Sequence, residues 1–142
     1  MTGTVNLPAI SRQNYTNCPI LVFMGYISRS SSNPPDTYLR YNYNRKYFSY
    51  DSTNRKFTCL KSGSVKITSW GTASRNTSGT GGSITVNVYK NSTKVITSTS
   101  NGGYNSTTTT INVNDIIYIS GGGSGGGDNN KWAGLGFTIE LL

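Results

Sequence analysis

The sequence predicts an all-β domain, a sandwich or jelly roll, and three observations point there. The tail alternates: Leu135, Phe137, Ile139 and Leu141 take every second position, with Gly134, Gly136, Thr138 and Glu140 between them. A strand sends alternate side chains to opposite faces, so one face of this segment is wholly apolar. Burying its four apolar groups is worth roughly 1.5–3 kcal/mol each, which marks the tail as a central strand. Composition agrees: 17 Gly, 10 Tyr, and 54 Ser, Thr and Asn in 142 residues are strand and turn material with few helix formers. Turn residues also recur every 8–15 positions along the chain.

Residues 1–13 carry little pattern, and Pro8 interrupts them, so they form an expected attachment arm ahead of a head domain at 14–142. Pro19 to Ile27 is a continuous apolar run, the signature of a strand buried on both faces. Ser30 to Asp36, with Pro34-Pro35, is a loop. Thr37 to Tyr50 reads as one strand that puts Tyr41, Tyr43 and Tyr47 on one face with Arg45. Lys56–Leu60 and Val65–Trp70 follow as short strands, and Gly71 to Gly82 as a polar loop. Ser83–Tyr89 alternates, with Ile84, Val86 and Val88 inward, and Lys90–Thr93 turns the chain into Lys94–Ser98. Ile111–Val113 and Ile116–Ile119 flank an Asn114-Asp115 turn, and Gly121–Gly127 is a flexible loop before the tail. The count is about eight strands. The expected core is Phe57, Val86, Val88, Ile117, Leu135, Phe137 and Ile139.

Thirteen Lys and Arg against five acids give a net charge of +8, and seven of the cations lie between Arg40 and Lys66. Solvated strand faces account for most of that excess; an acidic glycan, protein or nucleic acid partner is the functional alternative. No run approaches the roughly 18 apolar residues of a membrane span. No apolar h-region follows Met1, so synthesis in a reducing cytoplasm is expected, with free thiols at Cys18 and Cys59; a Cys18–Cys59 disulfide is the alternative.

The chain has no histidine, which removes the commonest general base and metal ligand. Its acids, Asp36, Asp51, Asp115, Asp128 and Glu140, are scattered, and two cysteines do not make a zinc site. An oxygen-ligated calcium at Asp36 or Asp128 is the one metal alternative. The glycine run lacks the Gly-Lys-Ser/Thr ending of a phosphate loop. The Asn-x-Ser/Thr triplets at Asn14, Asn76, Asn91 and Asn105 are what chance supplies in a chain this rich in those residues. The expectation is a non-enzyme with no cofactor and no metal. Its most suggestive surface is the tyrosine and arginine cluster, because these residue types are enriched at interfaces.

Four segments in order resemble a known family. Asp51 to Gly63, Val86-Asn87-Val88-Tyr89-Lys90-Asn91, Ile111 to Ile119 and Gly134 to Ile139 are similar to strand and turn motifs of the globular head of the first complement component. The resemblance spans about two thirds of the chain, over residues 50–142. It implies a ten-strand jelly roll shared with tumour necrosis factor and a compact homotrimer. Tyr41, Tyr43, Tyr47 and Arg45, which lie before the matching segments, are the expected trimer interface on their residue types. Two positions depart from the pattern: Ser64-Val65 stands where an aromatic usually follows the glycine, and Asn114 replaces the usual glycine before Asp115. Residues 1–13 contain no collagen-like Gly-X-Y repeat, so no stalk is expected. The functional expectation is a bacteriophage virion protein made in the host cytoplasm and displayed on the virion surface. It would be a trimeric capsid decoration or fibre-head protein, joined to a larger virion assembly through residues 1–13. The runner-up is a carbohydrate-binding module that contacts host surface glycans, and a bacterial surface or spore-coat protein is third. Nucleic acid ranks behind these as a partner.

Overall fold

The computed structural model describes residues 18–28, 39–73, 83–99, 103–124 and 132–142. Among them every regular element is a strand: β1 (Pro19–Ser28), β2 (Arg40–Tyr43), β3 (Phe48–Asp51), β4 (Lys56–Cys59), β5 (Gly63–Ala73), β6 (Ser83–Lys90), β7 (Thr93–Thr99), β8 (Gly103–Ile111), β9 (Ile116–Ser124) and β10 (Trp132–Leu141). They form two five-stranded antiparallel sheets, β2-β1-β10-β5-β8 and β3-β4-β9-β6-β7. The chain passes from one sheet to the other six times. The fold is an all-β jelly-roll sandwich, and its described residues form ten strands, the number the resemblance implies.

The alternating tail explains the centre of the first sheet. β10 lies between β1 and β5, with Phe137 paired to Phe23 on one side and Ser69 on the other. Leu135, Phe137 and Ile139 are buried beneath it, together with Phe57, Val86, Val88 and Ile117 from the facing sheet. Phe137 packs 5.8 Å from Phe23 and 6.2 Å, edge-on, from Phe57. The polar exception inside is Ser69–Ser98, where Ser98 Oγ donates to the Ser69 carbonyl at 3.0 Å and so answers its own burial. Neither cysteine forms a disulfide. Cys59 shares the inward face of β4 with Phe57, and burial pushes its thiol up to about 12.

The two hairpin motifs of the resemblance meet. Asn91, at the β6–β7 turn, donates from Nδ2 to Asp115 Oδ1 at 2.9 Å and accepts the Ile116 N–H at 2.9 Å. Asp115 Oδ2 accepts the Asn112 N–H at 2.9 Å. Asn114 has φ 73°, the left-handed region, so its place in the family's usual glycine position has a backbone reason. Asn is one of the few non-glycine residues that tolerates that conformation.

Four expectations are corrected. Thr37–Tyr50 is not one strand: the chain turns at Asn44–Tyr47, where Asn44 O accepts the N–H groups of Tyr47 and Phe48 and Asn44 Oδ1 that of Lys46. β1 is not buried on both faces, since Met24 is 42 % exposed while Leu21 and Phe23 are buried. The glycine run begins inside β9, with Gly121, Gly122 and Gly123 paired to Val86, Thr85 and Ile84; residues 125–127 lie outside the described residues. Gly71 belongs to β5, paired with Leu135 and Gly103, rather than opening a loop. The expected arm, residues 1–13, lies outside the described residues, as do Asp36 and Asp128.

Candidate functional site

The four residues expected at an interface do not share a strand face. Tyr41 and Tyr43 belong to β2, and Arg45 and Tyr47 to the turn that follows. Register against β1 places Tyr41 opposite Phe23 and Tyr43 opposite Leu21, on the inward side of the sheet edge. Tyr43 then packs edge-on to Phe57 at 5.6 Å, and Tyr41 lies 4.4 Å from Tyr50. These rings close the open end of the sandwich. Tyr47 is half-buried, with Lys61 Nζ 5.3 Å over its ring, and only Tyr41 and Arg45 of the four are exposed. Leu39, Tyr41, Tyr50, Ser52 and Thr53 line an open groove of about 600 Å³ there.

Each sheet presents a five-residue row to the outside, one residue per strand. Across the first sheet the register reads Arg40, Met24, Gly136, Trp70, Tyr104. The missing side chain of Gly136 is a requirement: a Cβ there would lie 2.2 Å from the Trp70 ring and 2.7 Å from the Phe23 carbonyl oxygen. Trp70 therefore lies down over Gly136, with Tyr104 tilted beside it at 6.0 Å. Tyr104 is 74 % exposed, so the row leaves an aromatic and thioether patch uncovered by any described residue. Sequence reasoning missed it. The signal was Trp70 at an outward strand position opposite a glycine, which alternation alone reads as ordinary surface.

Across the second sheet the row is Asp51, Lys56, Tyr118, Tyr89, Lys94. Tyr89 and Tyr118 stack at 5.0 Å and 7°, and Lys56 Nζ sits 4.6 Å over the other face of Tyr118. Asp51 Oδ1 accepts the N–H groups of Thr53 and Asn54 at 2.9 and 3.1 Å, and Oδ2 the Asn54 amide at 2.7 Å. Those bonds, the Asn54 side chain's first, hold the Asp51 carboxyl below its ordinary pKa. Asn91 and the Asn112 N–H do the same for Asp115. Among the described residues no group of three or more His, Cys, Asp or Glu could hold a metal, and no helix is long and apolar enough to cross a membrane.

No family model matches the chain, and no curated protein matches it. Solved structures match it at low identity. PRD1 vertex protein P5 is 14 % identical with a TM-score of 0.49, over 89 % of this chain and 100 % of that one. Rabbit GITRL is 18 % identical at 0.45, over 86 % and 93 % of the two chains. Bushbaby GITRL is 17 % identical at 0.43, over 88 % and 98 %. Likeness at this level transfers neither activity nor partner.

Proposed function

We propose that this chain is a non-enzymatic structural protein of a bacteriophage virion, a capsid decoration or fibre-head protein displayed at the particle surface as a homotrimer. The observation that carries the assembly is the row Met24–Trp70–Tyr104 over Gly136, which no described residue covers. Monomeric domains seldom leave contiguous apolar patches on a flat sheet, and Trp, Tyr and Met are the types concentrated at protein interfaces. Three copies meeting on this sheet would cover it, in the symmetry the resemblance implies. Arg45 is exposed in the turn after that sheet's edge strand and joins the interface at its rim, while Tyr41, Tyr43 and Tyr47 act from the protomer's own side of the sheet. Residues 1–13 serve as the attachment to the larger assembly. The virion setting rests on analogy of architecture; PRD1 vertex protein P5 is in keeping with it by name and does not carry it. Mass spectrometry and electron microscopy of purified particles test the setting. Finding the protein in stoichiometric amounts on the particle surface is the expected result; its absence from particles of a producing host overturns the virion reading.

A further inference from the structure

Beside the β3–β4 turn, on the outer face of the second sheet, lies a hollow of about 310 Å³ lined by Thr53, Asn54, Arg55, Lys56, Tyr118 and Ser120. This size accommodates a small ligand such as one or two sugar rings. Its lining combines two cations with hydroxyl and amide groups that both donate and accept hydrogen bonds. Lys56 is held in place: its stem is half-buried, its ammonium rests on the Tyr118 ring, and Tyr89 braces that ring from behind. Such a cation has little rotamer freedom left to lose on binding. The one acid in its row, Asp51, has both carboxylate oxygens engaged by the turn residues Thr53 and Asn54, and the attraction it also feels from Lys56 is the weakest of the influences on its carboxyl. A chain of net charge +8 adds long-range attraction for an anion.

We propose that this hollow is a binding site for a carboxylated sugar, a uronic or sialic acid unit, with Lys56 taking the carboxylate and Thr53, Asn54, Ser120 and the Tyr118 hydroxyl edge taking sugar hydroxyls. A carboxylate alone would use the cation and leave the polar rim unmatched; a neutral sugar would leave the ammonium unmatched. Both faces of Tyr118 are occupied, so the ring offers its rim and not a stacking platform. The site faces away from the sheet proposed for self-association, and it stands whether or not the chain is a virion protein or a trimer.

The test titrates the full chain with 3′-sialyllactose, with tetragalacturonate and with neutral lactose, following backbone amides by NMR. At least one carboxylated probe is expected to bind at sub-millimolar to millimolar concentration and to shift the amides of Thr53, Asn54 and Ser120. Lactose is expected to shift none of them. Lys56→Gln should lose about tenfold or more in affinity, as removal of one charged partner does, with its melting curve unchanged. Lys94→Gln, at the far end of the same row, should bind as the parent does. No binding of either carboxylated probe at several millimolar, or equal binding of lactose, overturns the proposal. So does unchanged affinity in Lys56→Gln. Equal competition by inorganic phosphate or a short oligodeoxynucleotide identifies a general anion site and overturns the sugar assignment.

Discussion

The two outward rows, Arg40–Met24–Gly136–Trp70–Tyr104 and Asp51–Lys56–Tyr118–Tyr89–Lys94, are built on the same plan and finished differently. Each crosses five strands and carries two aromatics. In the second, the rings stack on each other and Lys56 covers the end of the stack, so their faces are satisfied within the protomer. In the first, a glycine lets Trp70 lie flat and Tyr104 stands beside it, and their outer surfaces meet nothing among the described residues. Cross-strand pairs stabilise a sheet in both rows. The difference is that the second row is complete in one copy, and the first is the one we propose another copy completes.

The largest expected effect falls beneath both rows, where they share a core. Phe137→Ala removes the ring that contacts Phe23 and Phe57. Transfer and cavity terms together cost about 3–5 kcal/mol, out of about 5–15 kcal/mol for a whole domain. Thermal melting should show a steep fall or loss of folding; a parental melting curve would mean that β10 is not the centre of the sandwich.

Gly136→Ala comes next and sharpens the contrast between the rows. The added methyl meets the Trp70 ring and the backbone oxygen of Phe23, and the backbone cannot move aside as a side chain can. Overpacking of this kind costs about 1–3 kcal/mol. The melting temperature should fall and the tryptophan emission shift to the red as Trp70 is lifted into water. An unchanged emission spectrum would show that Trp70 does not lie over Gly136.

How much of this was legible in the sequence depends on whether a pattern had one physical cause. Leu135, Phe137 and Ile139 alternate with small and polar residues, and only a half-buried strand does that; Val86 and Val88 are the same. The Pro19–Ile27 run is apolar at every position, which fits burial inside a fold and burial against another copy equally well, and Met24 is outward. Thr37–Tyr50 kept a strand-like tyrosine period through a turn, and the signal against it was Asn44, whose side chain caps that turn. The glycines of β9 look like loop by composition, yet pairing with β6 orders the backbone of Gly121–Gly123 without help from side chains. The outward rows were illegible because they join residues as distant in sequence as Met24 and Gly136, or Asp51 and Tyr118, and only strand order brings them together.

A smaller effect concerns acid. The Asn91 and Asn112 bonds depress the Asp115 carboxyl, and the Asn54 and Thr53 bonds depress Asp51. A group whose pKa is lowered by folding contributes stability above its unfolded value, near 3.9, and loses it as pH falls through the lower folded value. Melting temperature should therefore decline as pH drops below about 4. Asp115→Asn should flatten part of that decline and leave the part due to Asp51. An acid limb identical to the parent's would show that the Asn91–Asp115 bond is not kept in solution. Asp51 is exposed and Asp115 only half-buried, so solvent screens both and the change is modest.

The distinction between a row complete in one copy and a row completed by another is tested most directly by mass in solution. Analytical ultracentrifugation at micromolar concentration should give the parent about three times 15.3 kDa. Tyr104→Ser, which alters a side chain already 74 % exposed, should melt only slightly below the parent yet dissociate toward the protomer mass on dilution. Tyr118→Ser, its counterpart on the other face, should remain at the parental mass. A monomeric parent would contradict the account outright. A Tyr104→Ser variant that holds the trimer while Tyr118→Ser loses it would show that the interface lies on the opposite sheet.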